Sequence, residues 1–297
     1  MLAGVVSTFC LGPRIAFAQT AVAATTLNER VRVIAGVGGN VVVWSDGKRA
    51  ALVDAGAANF ADRLPIMVDE LTGGADVEVL FNTHWHLDQI GANAAFGQRG
   101  AEIIAHRKTS AHLSTPYFLP DEDRYQQAQP AAAHPTRTFV TTGEHEMAGN
   151  AIGFGHLLEA HTDGDIYVFF EDDNIVAAGD GIAPLRDPVL DWYGGGWLGG
   201  RIESLDLLLG IGDSNTRFVP SYGPTVERGY VESERELMLR LFDILWERVR
   251  AGQSAEDILL SGALDTLPRQ FDDPTRLLYD FHKSMWAHYN TLSPDIV

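Results

Sequence analysis

A chain of 297 residues with 45% hydrophobic and 21% charged residues has an ordinary globular composition and length enough for one large domain or two small ones. Its 40 Asp and Glu against 22 Lys and Arg give a formal charge of -18. That field repels phosphate polyanions and anionic lipid headgroups, which argues against nucleic acid as a partner, and a solvated surface accounts for the acidity by itself.

The first twenty residues, MLAGVVSTFCLGPRIAFAQT, join a short apolar run from Leu2 to Leu11 to Ala16-Phe17-Ala18 before Gln19. This is the apolar stretch and small-residue cleavage site of an export signal, although the usual positive n-region is missing. The run is too short to span a bilayer, so no stable membrane insertion is expected. We read residues 1–18 as a removable signal and residues 19–297 as one mature domain, periplasmic or secreted. The only cysteine, Cys10, falls inside the signal, and a thiol-free mature chain suits an oxidising compartment. The competing reading is a cytosolic chain with a mildly apolar N-terminus.

Val31 to Ile34, Val41 to Trp44 and Ala51 to Val53 are β-branched runs separated by Gly-Gly-Asn and Ser-Asp-Gly, a strand meander. Phe60, Leu64, Met67, Val68 and Leu71 fall at helical spacing and Gly73-Gly74 ends that helix. Val77 to Asn82 reads as a buried strand. Ala92 to Phe96 predicts a short helix, Glu102 to Ala105 a strand, and Arg107 to Leu113 a helix. Ser114 to Arg137, rich in Pro, Gln and Ala, is expected to be a long loop serving as a lid, binding loop or interface. Strands are then predicted at Thr138 to Thr141, Ala151 to Phe154, His156 to Glu159, Tyr167 to Phe170 and Ile175 to Ala178. Helices dominate from Leu205, with one strand at Arg217 to Pro220, a long helix over about Val226 to Ala251 and another at Thr275 to Tyr289. This order suits two sheets face to face with helices outside.

The chemistry concentrates in NTHWHLDQIGAN, Asn82 to Asn93. Histidines one residue apart at a strand end would point the same way, so His84 and His86 can meet one ion while Trp85 packs on the opposite side. Asp88 follows where the chain turns at Gly91. Further on, EAHTDGD supplies His161 and NIVAAGDG supplies Asp180, each expected at the end of an apolar strand. Neutral imidazoles and carboxylates are the ligands zinc takes, and three protein ligands with an open position form the catalytic pattern. A lone histidine is more often structural, and His106, His112, His134, His145, His156, His282 and His288, which lack this spacing, are read so.

With LVDAG at Leu52 to Gly56 and VPSYGP at Val219 to Pro224, these motifs resemble the metallo-β-lactamase superfamily in order and interval, over about residues 30 to 225. The resemblance implies an αββα four-layer sandwich of two mixed sheets with helices outside, a metal site at one edge, and here a C-terminal helical extension from about residue 226. It also places His84, His86 and His161 on the first zinc and Asp88 and Asp180 on the second. Two positions depart. Hydrolytic members usually carry histidine where this chain has Gln89 and again where it has Tyr222. Both changes fall on the second metal site, so the expectation is one Zn(2+) per chain, with two left open.

The first reading is therefore a zinc-dependent hydrolase of a small ester, lactone or amide, with metal-activated water whose pKa falls to about 7 in such sites. Asp88 would act as base and Tyr222 as a donor to developing charge. Gln89 and the aromatic loop DPVLDWYGGGWLGG, through Trp192, Tyr193 and Trp197, would contact an apolar or aromatic substrate. The bland alternatives are packing roles for Tyr222 and for the loop aromatics, and a hydrogen-bonding amide at Gln89. Two rival functions are a metal-dependent lyase or dehalogenase and a non-catalytic binding protein with a degenerate site. A homo-oligomer is left open.

Overall fold

The computed structural model describes residues 21–292; the export-signal reading of residues 1–18, with Cys10, lies outside them. The first sheet holds β1 (Ala23–Thr26), β2 (Val31–Ala35), β3 (Val41–Ser45), β4 (Arg49–Val53), β5 (Asp76–Phe81), β6 (Glu102–His106) and β9 (Arg137–Phe139), side by side in that order. Its first four strands pair antiparallel. Parallel pairing begins at β4 and β5, which are joined by helix α1 (Leu64–Thr72) as a parallel crossover requires. A small antiparallel hairpin, β7 (Tyr117–Leu119) with β8 (Arg124–Gln126), stands apart. The second sheet is β10 (Thr142–Met147), β11 (Asn150–His156), β12 (Ile166–Phe170), β13 (Ile175–Gly179), β14 (Arg217–Pro220) and β15 (Val226–Glu227).

Alternation along the strands sorts side chains into layers. Val42, Trp44, Ala51, Val53, Val79 and Phe81 of the first sheet face Ile152, Phe154, Ile166, Val168, Phe170 and Ala177 of the second in one buried cluster. The intervening residues Val41, Val43, Leu52 and Leu80 point outward and pack on Leu64 and Val68 of α1 and on Phe96 of α2 (Asn93–Gln98). On the far side, Val176, Ala178 and Phe218 of the second sheet pack under α4 (Leu198–Leu209), α5 (Arg228–Arg250), α6 (Ala255–Leu260) and α7 (Pro274–Leu292). Helix α3 (Arg107–Ser114) follows β6 directly. The layers run helix, sheet, sheet, helix, and the C-terminal extension supplies most of the last one. No described helix is long and apolar enough to cross a membrane.

Several elements differ from the sequence reading. The stretch from Ser114 to Arg137 contains the β7–β8 hairpin, closed across the turn by Phe118 against Tyr125 at 5.2 Å. The strand predicted at Ala151 to Phe154 is β11, which takes in His156 while Leu157 to Glu159 leave it as a turn; the strand predicted at Thr138 to Thr141 is met by β9 through Phe139, and β10 is an additional strand. The first described strand, β1, is fully exposed and so carries no apolar signature. Helix α4 starts at Leu198, seven residues before the expected Leu205, through Gly199 and Gly200. A Cβ on Gly200 would lie 2.5 Å from the Glu159 carbonyl oxygen, so the helix needs that glycine to seat against the segment leading to His161.

Candidate metal centre

The loop between β5 and α2 is pinned at both ends. Asn82 and Asn93 exchange side-chain hydrogen bonds of 3.0 and 2.8 Å, closing it at its base. Inside, the Ala55 N–H donates to the Gln89 carbonyl at 2.6 Å and the Gly91 N–H to the Gly56 carbonyl at 2.6 Å. The loop is thus stapled to the turn after β4. Its histidines lie past the end of β5, so the expected strand alternation does not orient them; these backbone ties do. Trp85 still points away, buried with Ile90, Leu113 and Leu119 and stacked on His112 at 4.6 Å.

His84, His86 and His161 converge. Each offers a ring nitrogen within 4.8 Å of the others', and the three ring centroids are mutually 4.8 Å apart. His161 also sits in a loop, five residues past the end of β11 where the sequence suggested a strand end. Asp165 holds that loop, accepting from the backbone N–H groups of His161 and Thr162 at 2.5 Å each and from the Thr162 hydroxyl at 2.9 Å.

The far nitrogen of each ring has its own oxygen. His84 Nδ1 lies 3.0 Å from the Thr83 hydroxyl, which donates to Asp54 Oδ2 at 2.7 Å. His86 Nε2 lies 2.8 Å from Asp191 Oδ2. His161 Nδ1 lies 3.5 Å from Asp165 Oδ1. For His84 and His86 such partners fix the tautomer and turn the opposite nitrogen, unprotonated, towards a common point, while Asp165 only faces His161 Nδ1 without a hydrogen bond. That leaves Nε2 of His84 and Nδ1 of His86 as ligand atoms, with Nε2 of His161, which faces the same Asp180 oxygen as His84 Nε2, as the third; His84 Nε2 is buried with no hydrogen-bond partner among the described residues. A buried nitrogen without a partner costs free energy, and a metal ion removes the cost. The residues present therefore fit a divalent metal.

Electrostatics point the same way. Burial, with help from the two neighbouring imidazoles, lowers the His84 pKa to about 3, which keeps its lone pair free. Burial opposes charge on His86 too, but the Asp191 carboxylate overcomes it and raises the pKa. Asp54, at φ 64°, is a non-glycine residue in the left-handed region, and burial pushes its carboxyl well above the usual range despite two donors from Thr83. Strain of that kind is sustained only where the surroundings enforce it.

Residues 35–228 match the family model of the metallo-beta-lactamase superfamily. The chain belongs to that superfamily. Among solved structures similar to this metallo-beta-lactamase-fold chain is a metallo-beta-lactamase from Pontibacter korlensis, at 19% identity and TM-score 0.59, spanning 73% of this chain and 99% of that one. The metallo-beta-lactamase DIM-1 shows 16% identity and TM-score 0.57, over 73% and 97%. The sec-alkylsulfatase Pisa1 from Pseudomonas sp. shows 12% identity and TM-score 0.62, over 91% of this chain and 50% of that one. At these identities the likeness is one of fold. No curated protein matches the chain.

The remaining predicted site residues, Asp180, Asp88, Gln89 and Tyr222, gather around Arg186. Asp180, following β13, turns Oδ2 towards the histidines, 3.7 Å from His84 Nε2 and 3.9 Å from His161 Nε2. Its Oδ1 accepts from Arg186, a residue the sequence reading did not single out. Burial alone would raise the Asp180 carboxyl, but Arg186 and the imidazoles hold it far below the usual carboxylate range. Arg186 lies over the Tyr222 ring at 3.9 Å, and the Tyr222 hydroxyl donates to Asp88 Oδ2. Burial, then the Asp88 charge, pushes the Tyr222 phenol well above its ordinary value, so it is a donor and not a phenolate. Gln89 is fully buried and its Nε2 lies 3.3 Å from the same Asp88 oxygen.

The aromatic loop divides. Tyr193 borders a cavity of about 250 Å³ that His86, Asp88, Leu87, Leu119 and Arg124 also line. Trp197 instead stacks on His288 of α7 at 3.6 Å, and Trp192 lies 6.0 Å from Lys283 of the same helix. Neither tryptophan is among the cavity's lining residues. Asp191, in the same loop, escaped the sequence reading although its place in a Gly-rich loop downstream of Asp180 was a usable signal.

Proposed function

We propose that this protein is a hydrolase dependent on one divalent metal, zinc, acting on a small and partly apolar substrate with an ester, lactone, amide or similar bond. The observation that carries it is the set of three imidazoles within 4.8 Å, each with its far nitrogen against a separate oxygen. Zinc bound there supplies a Lewis acid and lowers the pKa of the water it holds.

The chain's own groups account for the rest. Tyr222 and Gln89 both reach Oδ2 of Asp88. That fixes the carboxylate and leaves Oδ1 to take a proton from the attacking water. The cavity of about 250 Å³ lies just below the usual range for sites that take drug-sized ligands, which supports a small substrate. Leu87, Leu119 and Tyr193 give it apolar walls and the β7–β8 hairpin closes one side. Two structural neighbours bear names that define test substrates, β-lactams and secondary alkyl sulfates. Purified protein should carry zinc and hydrolyse at least one member of a panel of aryl esters, lactones, β-lactams and alkyl sulfates, and His86→Ala should lose both metal and turnover. A metal-free wild-type protein with an intact fold would sink the proposal. The export reading of residues 1–18 adds a periplasmic or secreted setting, tested by N-terminal sequencing of the protein from its native cell.

A further inference from the structure

We propose that Arg186 is a built-in second cation, which takes the place of a second metal ion and limits the centre to one. This rests on the one-metal reading above. Asp180 is oriented as a bridging carboxylate would be, with Oδ2 turned to the histidines and Oδ1 turned to a positive charge. That charge is a guanidinium. The remaining groups of the second site close around it: Arg186 covers the Tyr222 ring at 3.9 Å, Tyr222 donates to Asp88, and the Gln89 Nε2 lies 3.3 Å from Asp88. Oδ2 of Asp88 thus receives two hydrogen-bond donors. The Gln89 amide is pressed against Gly39, where an added Cβ would lie 2.1 Å from Oε1. A guanidinium is charged at every working pH and cannot dissociate from its own chain, so its local concentration does not depend on metal supply.

The C-terminal extension is what holds this cation in place. Arg269 donates to the carbonyls of both Ala183, at 3.1 Å, and Arg186 itself. Asp187, the next residue, accepts from the backbone N–H groups of Asp272 and Asp273 at 3.1 and 2.8 Å, just before α7. From α5, Tyr230 donates to the Ala183 carbonyl at 2.8 Å, and Glu234 accepts from the Ala183 N–H at 2.9 Å. Arg269, Asp272, Asp273, Tyr230 and Glu234 all lie beyond residue 228, where the match to the superfamily ends. The extension therefore clamps the loop that carries Arg186.

The test is zinc content per chain after equilibrium dialysis of the full-length protein against one fixed free-zinc concentration, with circular dichroism confirming the fold. Wild type and Arg186→Lys should each hold one zinc. Arg186→Ala should rise towards two, since Asp88 and Asp180 then face an empty space. Arg269→Ala, which touches neither carboxylate, should also gain zinc by loosening the loop, and it serves as the second variant if Arg186→Ala does not fold. Two zinc ions in wild type would overturn the proposal and point to Gln89 Oε1 as a ligand. Variants that remain at one beside a one-zinc wild type would overturn it while leaving the hydrolase reading intact. No zinc in wild type would sink the hydrolase reading itself.

Discussion

Replacing Asp191 by asparagine changes no heavy-atom count, yet it should disable much of the metal centre. The Asp191 carboxylate, 3% exposed, serves two donors: Oδ2 lies 2.8 Å from His86 Nε2 and Oδ1 accepts from the Gly194 N–H at 2.8 Å. An amide has one acceptor oxygen and one donor NH₂. If its oxygen faces His86, the NH₂ meets the Gly194 N–H, and an unsatisfied buried donor costs roughly 1–3 kcal/mol. If its NH₂ faces His86, the imidazole must move its proton to Nδ1, the atom that the metal needs. Either way the charge-assisted hydrogen bond is lost. Loss of such a supporting partner weakens metal affinity about 10–100-fold, roughly 1.4–2.7 kcal/mol. Zinc affinity measured by chelator competition reads this directly, with denaturant unfolding of the metal-free protein reporting the stability cost. Asp191→Asn that binds zinc as tightly as wild type would refute the assignment of His86 Nδ1 as the ligand atom.

Glu234→Gln should be among the most destabilising single changes, because the Arg201–Glu234 pair at 2.6 Å has both side chains fully buried. Leaving Arg201 uncompensated costs about 3–5 kcal/mol, visible as a lower urea midpoint; a loss under 1 kcal/mol would refute the reasoning. A third expectation concerns acid stability away from the metal. His106 and His156 stack at 3.9 Å, and burial, then the second imidazole, lowers the His106 pKa to about 4, with Lys108 adding to this and Asp163 and the Val140 carbonyl opposing it. A depressed folded-state pKa means stability that is full above the unfolded value near 6.5 and is lost as pH falls towards 4. His106→Gln, which can keep the 3.1 Å bond to the Val140 carbonyl, should flatten unfolding free energy against pH in that window by up to about 3 kcal/mol. Parallel wild-type and variant curves would contradict it.

What the sequence exposes is whatever repeats at the period of its element or sits at a fixed short spacing. The strands β3, β4 and β5 are apolar on both faces because one side meets the opposite sheet and the other meets α1 and α2, so they read as plain hydrophobic runs. His84, His86 and His161 are legible for a similar reason: ligands must come from rigid, closely spaced loop positions. The groups that make those ligands work are not legible. Thr83 and Asp165 are a threonine and an aspartate within four residues of a histidine with no periodic pattern to mark them, and Asp191 reaches His86 across 105 residues, where only its Gly-rich loop is a signal. The β7–β8 hairpin was within reach, since aromatic residues flank the turn PDED, but its strands of three residues are too short to show alternation. Strand β10 is mostly solvent-facing and so offers no apolar face to detect.

The two departures that single out this chain, Gln89 and Tyr222, make sense only together with Arg186, 97 positions from the first and 36 from the second. Read alone, each removes a nitrogen ligand and suggests decay. With Arg186 in view, both become hydrogen-bond donors to Asp88 beside a guanidinium that neutralises Asp180. Decay would leave two buried or half-buried carboxylates without a counter-charge, an arrangement whose desolvation cost is several kcal/mol per ion. Here each carboxylate has a partner, and the loop that carries the arginine is held by Arg269 and by Asp187's contacts with the segment before α7. On the proposal above, the second site is rebuilt around a covalently attached cation, and the segments beyond residue 228 clamp the loop that carries it.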